Sequence, residues 1–438
     1  MKVKNNVFYR LYDDECYVWD LNNQKEYIFS NSVFYILNTI KDNNSMTLNA
    51  LVEEIEKLFS SVENRNLIID FIDQLQDLNL VEDLNGKIVT IDDKIDSKIF
   101  NNNILFSALF ELTYRCNEKC IHCYAENNSS RKELSTEEVK AVIDNLYKAN
   151  VAEITFSGGE IFIRNDASNI IEYAYEKGFL INVFSNGINV NADIILKLAK
   201  CHIKSFQTSI YGSYAPLHDS ITGVKGSFDK TISVLKEMTD LGITTCMKTT
   251  IMKDNVHDYH NIKMLADSLG CGLEVGLNII PTLSKNKKNS LLRIGEEDLL
   301  KIKKDELKRD ISEDEIQNQD DSLAICNAGH TNITINPYGD IVLCTGFDTV
   351  IGNAVIDDIS ILWMNSEVLN EWRALNRRSL ECRKKCDCKD YCSFCPAQAY
   401  LETGNPLSRY REACIHAKLE KKAKEDMNNE SKKRNTGK

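Results

Sequence analysis

The chain has 438 residues, 43% of them hydrophobic, and its 53 basic and 65 acidic side chains leave a net charge of −12. That length exceeds one average domain, and an acidic balance with no long basic block excludes an electrostatic nucleic-acid binder. No apolar run approaches the ~18 residues of a membrane span, and the opening MKVKNNVFYRLYDDE lacks the apolar segment of a secretory signal, so a cytoplasmic location is expected.

Residues 1–95 read as a unit of their own. Apolar-rich runs at Val7–Leu11, Cys16–Trp19 and Tyr27–Ser30 predict three antiparallel strands, and Ser32–Lys41 has helical periodicity. Leu48, Leu51, Val52, Ile55, Leu58 and Phe59 place a second helix, and Ile68, Phe71, Ile72, Leu75 and Leu78 a third. Asn85-Gly86, between Leu80–Leu84 and Lys87–Ile91, predicts a closing hairpin, because that pair accepts the positive φ values of a tight turn. Three strands followed by three helices resembles the winged-helix-like peptide-recognition domain of enzymes that modify ribosomally made peptides. The resemblance is one of pattern and implies that a precursor's leader adds a strand to an open sheet edge. A dimerisation or packing domain is the competing reading.

From about Leu105 strands and helices alternate. Leu105–Thr113 is a strand, Thr136–Asn150 a helix opened by Ser135 with Glu138 three residues on, and Glu153–Phe156 a strand. Asp166–Lys177, Leu180–Ser185, Ala192–Ala199, Ser205–Ile210, Phe228–Leu241 and Thr245–Ile251 continue the alternation. Repeated βα units predict a parallel sheet curled into a full or partial barrel, with function on the loops that follow the strands. Ser284–Asp321 is polar and charged, which predicts an exposed helix or lid, with 301–322 as a linker. The charged stretch KLEKKAKEDMNNESKKRNTGK predicts a flexible tail over 419–438.

Fifteen cysteines in a reducing compartment point to metal wherever they cluster. In FELTYRCNEKCIHCYAENN, Cys116, Cys120 and Cys123 form a CxxxCxxC array directly after the first barrel strand. Soft thiolates suit iron–sulfur chemistry, and three ligands leave one iron of a four-iron cluster open. Zinc competes, but structural zinc takes four closed ligands, and His122 is poorly placed as the fourth. The array resembles the signature of the radical S-adenosylmethionine (SAM) superfamily. Ser157-Gly158-Gly159-Glu160, beginning 34 residues after Cys123, resembles that family's GGE motif. Phe184-Ser185-Asn186-Gly187 looks like its TNG-type turn and Gln207-Thr208-Ser209-Ile210 like its ISID strand, beside the plainer readings of a β-turn and a buried strand.

The resemblance implies an α/β fold with a partial (β/α)6 barrel over 104–300 and a [4Fe–4S] cluster on Cys116, Cys120 and Cys123. It implies SAM contacts at Gly158, Gly159, Glu160, Ser185, Asn186, Gly187 and Ser209, the glycines admitting close backbone approach and Glu160 accepting from the SAM ammonium. The implied chemistry is reductive cleavage of SAM to methionine and a 5′-deoxyadenosyl radical, with electrons from a flavodoxin- or ferredoxin-type donor. Tyr211 stands where the family commonly has Asp, so no proton-transfer role is carried over to that position.

A second array contains Cys326, Gly339 and Cys344, then Cys382, Cys386, Cys392 and Cys395, and finally Cys414. It resembles the SPASM extension, a Cys-rich domain assigned to 323–418 that houses two auxiliary [4Fe–4S] clusters, with structural zinc as the rival. Residue by residue, the resemblance gives Cys382, Cys386, Cys392 and Cys414 to an outer cluster and Cys326, Cys344 and Cys395 to an inner one. The spacings within Cys382–Cys395 depart from the family's, and Asn332 stands where many relatives have a further inner ligand. An inner iron is then open to a substrate thiolate, unless the extra thiol Cys388, a water or another side chain closes it. Cys16, Cys201, Cys246 and Cys271 lie outside both arrays and are expected in ordinary core.

The order of the three parts resembles the sactipeptide and ranthipeptide synthases, which implies thioether formation in a small precursor peptide. Carbon–carbon crosslinking, a formylglycine-type oxidation and a non-enzymatic iron–sulfur or zinc regulator are the alternatives.

Overall fold

The computed structural model describes residues 2–12, 14–21, 23–42, 48–58, 65–78, 80–82, 100, 102–125, 131–307 and 321–436. The expected hairpin at Asn85-Gly86 and residues 308–320 of the expected linker lie outside them.

Strands β1 (Lys2–Val3), β2 (Val7–Tyr12), β3 (Glu15–Asp20) and β4 (Lys25–Ser30) open the chain, followed by helices Asn31–Asp42, Leu48–Leu58 and Arg65–Asp77 and by β5 (Val81–Glu82). β2, β3 and β4 form an antiparallel sheet in that order, while β1 pairs with β5. Side chains alternate across a strand, and both faces of this sheet are used. Val7, Tyr9, Cys16 and Val18 face the helices, meeting Ile36, Leu37, Val52 and Ile72. Phe8, Tyr12, Tyr17 and Trp19 face the other way and pack on Ala152 and Leu180 of the barrel. Burying such side chains is worth roughly 1.5–3 kcal/mol each, enough to seat the unit on the barrel. Tyr12 Oη donates to the Asn150 carbonyl at 2.8 Å, and Arg10 Nη2 to the Gly178 carbonyl at 2.7 Å.

The second unit has six parallel strands: β6 (Ser107–Thr113), β7 (Glu153–Gly158), β8 (Leu180–Phe184), β9 (Ser205–Ser209), β10 (Thr245–Thr250) and β11 (Gly272–Gly276). One face carries Phe110, Ile154, Phe156, Val183, Phe206 and Met247 into the helical layer. The chain is therefore an α/β protein with an open six-stranded parallel barrel. The sheet does not end there. β12 (Asn332–Ile335) pairs parallel to β6, and β13 (Asp340–Val342) and β14 (Val350–Asn353) add antiparallel strands, giving the order β11-β10-β9-β8-β7-β6-β12-β13-β14. The cysteine-rich region and the barrel thus share one sheet.

Two expectations are corrected, and one helix was not anticipated. Helix Ala215–Thr222 was not read from the sequence; eight residues with Pro216 in the first turn carry little periodicity. The predicted flexible tail is instead part of one helix, Arg411–Thr436. That helix buries Ala417, Leu419 and Ala423 and binds Glu296–Leu307 through Lys303–Glu420 at 2.8 Å and Lys304–Asp426 at 2.6 Å. Its charges mark its solvent face and these ion pairs, not disorder. Of the four cysteines expected in core, Cys16 and Cys201 are buried, whereas Cys246 and Cys271 are half-buried.

Among the described residues, no helix is long and apolar enough to cross a membrane.

Candidate active site

The C-terminal ends of β6, β7, β8 and β9 lie along one edge of the sheet, and each leads into a segment singled out in the sequence. The cysteine loop follows β6. Glu133 anchors its root by accepting from Thr113 Oγ1 at 2.7 Å and from the Tyr114 N–H at 2.9 Å. Helix Ala215–Thr222 braces the loop through Lys119 N–H to the Thr222 carbonyl at 2.8 Å and Ile121 N–H to the Ile221 carbonyl at 3.1 Å. Cys116 and Cys123 are exposed and Cys120 is partly so.

Although Cys116 and Cys123 present surface to solvent, the protein packed around the three sulfurs strips part of their hydration, which pushes Cys116 up to about 11 and raises Cys120 and Cys123. A metal that replaces the proton removes that obstacle to the thiolate. The Glu118 N–H already donates to Cys116 Sγ at 3.4 Å. His122 takes no ligand position; its ring packs edge-on to Tyr211 at 4.6 Å, and burial lowers it to about 4, a neutral packing group.

The GGE segment ends β7. A Cβ on Gly158 would lie 2.2 Å from the Thr113 carbonyl oxygen, and one on Gly159 would lie 2.3 Å from that of Arg115. Their missing side chains let this segment close on the root of the cysteine loop. Gly159 N–H bonds the Thr113 carbonyl at 2.7 Å and Glu160 N–H the Arg115 carbonyl at 2.9 Å. Glu160 is fully buried and accepts from the Phe162 N–H at 2.8 Å, Ser185 Oγ at 2.9 Å and the Asn186 N–H at 2.7 Å. Ser185, Asn186 and Gly187 follow β8, with the Gly187 N–H donating to Ser185 Oγ at 3.0 Å. Asn186 Nδ2 donates to Asn117 Oδ1 at 2.6 Å. Ser209 ends β9 and bonds the phenol of Tyr211, which lies close enough to Cys120 for their charges to interact.

The second array divides. Cys344 senses Cys395 and Cys326, whereas Cys392 senses Cys382, Cys414 and Cys386. Burial raises Cys344 to about 12 and Cys392 to about 11. Donors are already aimed at several sulfurs: Ala328 N–H at Cys326 (3.5 Å), Gln398 N–H at Cys395 (3.5 Å) and Arg409 Nε at Cys414 (3.1 Å). Such bonds favour the thiolate. Cys388 senses Cys386 but does not figure among the groups acting on Cys392. Among the described residues no three His, Cys, Asp or Glu side chains form a single-ion cage. A cluster spreads its thiolates over several irons, and two separate sets of soft donors fit that chemistry.

Between the cysteine loop and the turn after Cys344 lies a cavity of about 240 Å³, lined by Glu111, Tyr114, Leu283, Thr345, Phe347 and Tyr400. Glu111 was not singled out in the sequence, although a lone carboxylate inside the apolar run Leu109-Phe110-Glu111-Leu112 was the available signal. It is 6% exposed, bonds Tyr114 Oη at 3.0 Å, and is raised by burial to about 7.

A parallel partial barrel with a three-thiol loop, a glycine-rich turn welded to it and a second cysteine domain defines a radical SAM enzyme. The family models agree: residues 110–268 match the Radical SAM superfamily and residues 326–396 match SPASM, an iron–sulfur cluster-binding domain. The chain therefore carries a Radical SAM domain followed by a SPASM domain. It is 28% identical over 337 residues to the antilisterial bacteriocin subtilosin biosynthesis protein AlbA of Bacillus subtilis (strain 168), covering 72% of this chain and 71% of that protein. Mycofactocin maturase MftC of Mycolicibacterium smegmatis is 26% identical, covering 70% of this chain and 81% of its own. The fold is that of Streptococcus suis SuiB bound to precursor peptide SuiA, with a TM-score of 0.60 at 15% identity, covering 94% of this chain and 99% of that one.

Proposed function

We propose that the protein matures a ribosomally made peptide by joining a cysteine sulfur to a carbon of an acceptor residue, forming a thioether crosslink. The observation that carries this reading is the division of the second array. Cys344 interacts with Cys326 and Cys395, and Thr345 and Gly346 next to it line the cavity; a set of three leaves one place of a four-iron cluster for a substrate thiol. Asn332, in the position of a further inner ligand, begins β12 and makes its side-chain bond to Thr331. Cys382, Cys386, Cys392 and Cys414 make a complete outer set.

When bound, SAM and the clusters supply a hydrogen-abstracting radical and a sink for the electron released on bond formation. The chain's own residues bind and orient. Leu283 and Tyr400 wall the cavity, and Lys285 donates to Tyr400 Oη at 3.0 Å.

The precursor's leader docks on the N-terminal sheet by strand addition. Support for β4 as its edge comes from β2, whose carbonyls at Tyr9 and Leu11 are occupied by Arg10 Nη1 and Asn150 Nδ2. The names of AlbA, a bacteriocin biosynthesis protein, and of SuiB, solved with its precursor peptide, agree with a peptide substrate.

The test is coexpression with short cysteine-containing peptides encoded beside the gene. Thioether formation removes two hydrogens per crosslink and blocks alkylation of the cysteine involved. A product with the same mass loss but freely alkylated thiols would replace this reading with carbon–carbon crosslinking, and loss of sulfur would indicate formylglycine-type oxidation.

A further inference from the structure

The chain is acidic overall, but its charge is unevenly placed. Residues 377–424 carry 12 basic and 6 acidic side chains, so this stretch holds +6 while the remaining 390 residues hold −18. Half of those acids are neutralised by partners outside the stretch: Glu402 and Glu412 pair with Arg293, and Glu420 pairs with Lys303. Asp321, also from outside it, takes Arg383 and Lys389. Arg378, Lys384, Lys385 and Lys418 are exposed and make no ion pair among the described residues.

The stretch contains the outer cysteine set, and three of its elements bring cations to it. Lys384 and Lys385 lie between Cys382 and Cys386 in the chain, on the 3-10 turn Glu381–Lys385. From the loop before the last helix, Arg409 Nε donates to Cys414 Sγ at 3.1 Å. On helix Arg411–Thr436, Arg411, Lys418 and Lys421 stand three, four and seven positions from Cys414, the spacing of one helix face. Lys421 Nζ reaches back to the Asp387 carbonyl at 3.4 Å, and Lys424 lies 5.7 Å from the centre of the Tyr391 ring, so helix and turns form one surface. The first cysteine loop is nearly balanced by comparison: between Tyr114 and Cys123 it carries Arg115 and Lys119 against Glu118, and Arg115 pairs with Glu133.

We propose that this basic surface docks an acidic one-electron carrier protein beside the outer cysteine set. The inference deepens the reading of peptide oxidation given above and rests on it for the origin of the electron. Joining sulfur to carbon takes one hydrogen atom from the acceptor carbon, which ends on deoxyadenosine, and one proton and one electron from the thiol. The proton leaves to solvent, and the oxidised carrier takes the electron and is reduced by one. Neutralising the thiolates is the competing use of these cations. Arg409 meets that need at bonding distance, whereas Lys384, Lys385 and Lys418 are exposed without an ion pair and act on a partner through long-range attraction. Complementary charge raises the rate of encounter and makes it salt-dependent, which suits a carrier that docks briefly at each turnover. The rest of the chain, at −18, repels the same partner, so the field also orients it.

The experiment uses full-length, anaerobically cluster-loaded protein with an acidic flavodoxin as the probe. The variant Lys384→Glu/Lys385→Glu/Lys418→Glu reverses the surface, and Lys225→Glu/Lys230→Glu/Lys236→Glu makes the same charge change at exposed positions on and just before helix Ser227–Asp240. Binding is titrated at low salt and at about 1 M salt, where screening shortens to about 3 Å. Docking predicts that flavodoxin binds wild type at low salt and that the first variant and high salt each weaken it by about tenfold or more, with the second variant close to wild type. Iron content and deoxyadenosine formation with dithionite stay at wild-type levels in both variants. Equal flavodoxin binding by wild type and the first variant, or equal weakening by the two variants, would overturn the proposal. Should the first variant lose iron, wild-type binding that salt does not weaken is the contrary result. Carrier docking by a protein that crosslinks no peptide would instead refute the maturation reading and leave the docking surface standing.

Discussion

The two cysteine regions are built on opposite physical terms. The loop of Cys116, Cys120 and Cys123 hangs from a sheet whose core residues Phe110, Ile154, Phe156 and Phe206 are buried at 0% exposure, and hydrogen bonds to Glu133, Thr222 and Asn186 brace its surroundings. The segment from Arg377 to Tyr391 is three short 3-10 turns, Arg377–Ser379, Glu381–Lys385 and Lys389–Tyr391, beside a satellite core of Ala399, Tyr410 and Ala413. The first site is braced by the sheet, whereas the 377–391 segment has no strand or α-helix of its own, so bound metal is expected to contribute to its order.

The sharpest way to break this contrast is to remove one thiol from the second region. Cys395→Ala is expected to abolish crosslinking of the peptide while deoxyadenosine formation from SAM continues. Chromatography of deoxyadenosine beside mass spectrometry of the peptide reads both, and loss of both activities together would erase the division of roles.

Metal removal comes next. Chelation of iron should raise hydrogen exchange over residues 377–395 by an order of magnitude or more and leave β7, β8 and β9 protected. Equal deprotection of both regions would show that the barrel also leans on metal.

Glu111 sits between the two regions and makes the contrast titratable. Burial raises its carboxyl to about 7, so the folded chain holds a proton there that the unfolded chain has released above about 4.5. The stability contributed by this group is therefore full below the ordinary carboxyl value and is lost as pH rises through about 7. Between pH values well below and well above this window wild type should lose roughly 3 kcal/mol that Glu111→Gln keeps, read from denaturant midpoints. Parallel profiles for the two proteins would contradict the buried carboxyl with its raised value.

The smallest effect belongs to the barrel's periphery. Ser135 and Glu138 form a reciprocal cap on helix Thr136–Lys148, and Ser135→Ala should cost about 1 kcal/mol with SAM cleavage unchanged.

Most of the barrel was legible because its strands are apolar runs separated by periodic helices, with caps such as Ser135 marking the starts. The continuation of the sheet through β12–β14 was not, because strands of three or four residues carry almost no pattern and their pairing with β6 is a tertiary matter. The C-terminal helix was misread for a related reason: Lys and Glu side chains dominate the text, while Ala417, Leu419 and Ala423 do the packing. The cysteines and the glycine-rich turn could be named from spacing. The bonds from Glu160 to Ser185 and Asn186 join residues 25 and 26 positions apart and exist only once β7 and β8 lie side by side.

The most direct test of the account is to load the protein with iron and sulfide without oxygen, then add dithionite and SAM. Three braced thiolates with one iron left open predict iron in the protein and the release of deoxyadenosine, both lost at that site when Cys116, Cys120 and Cys123 are replaced. Zinc in place of iron, or SAM recovered intact, would contradict it.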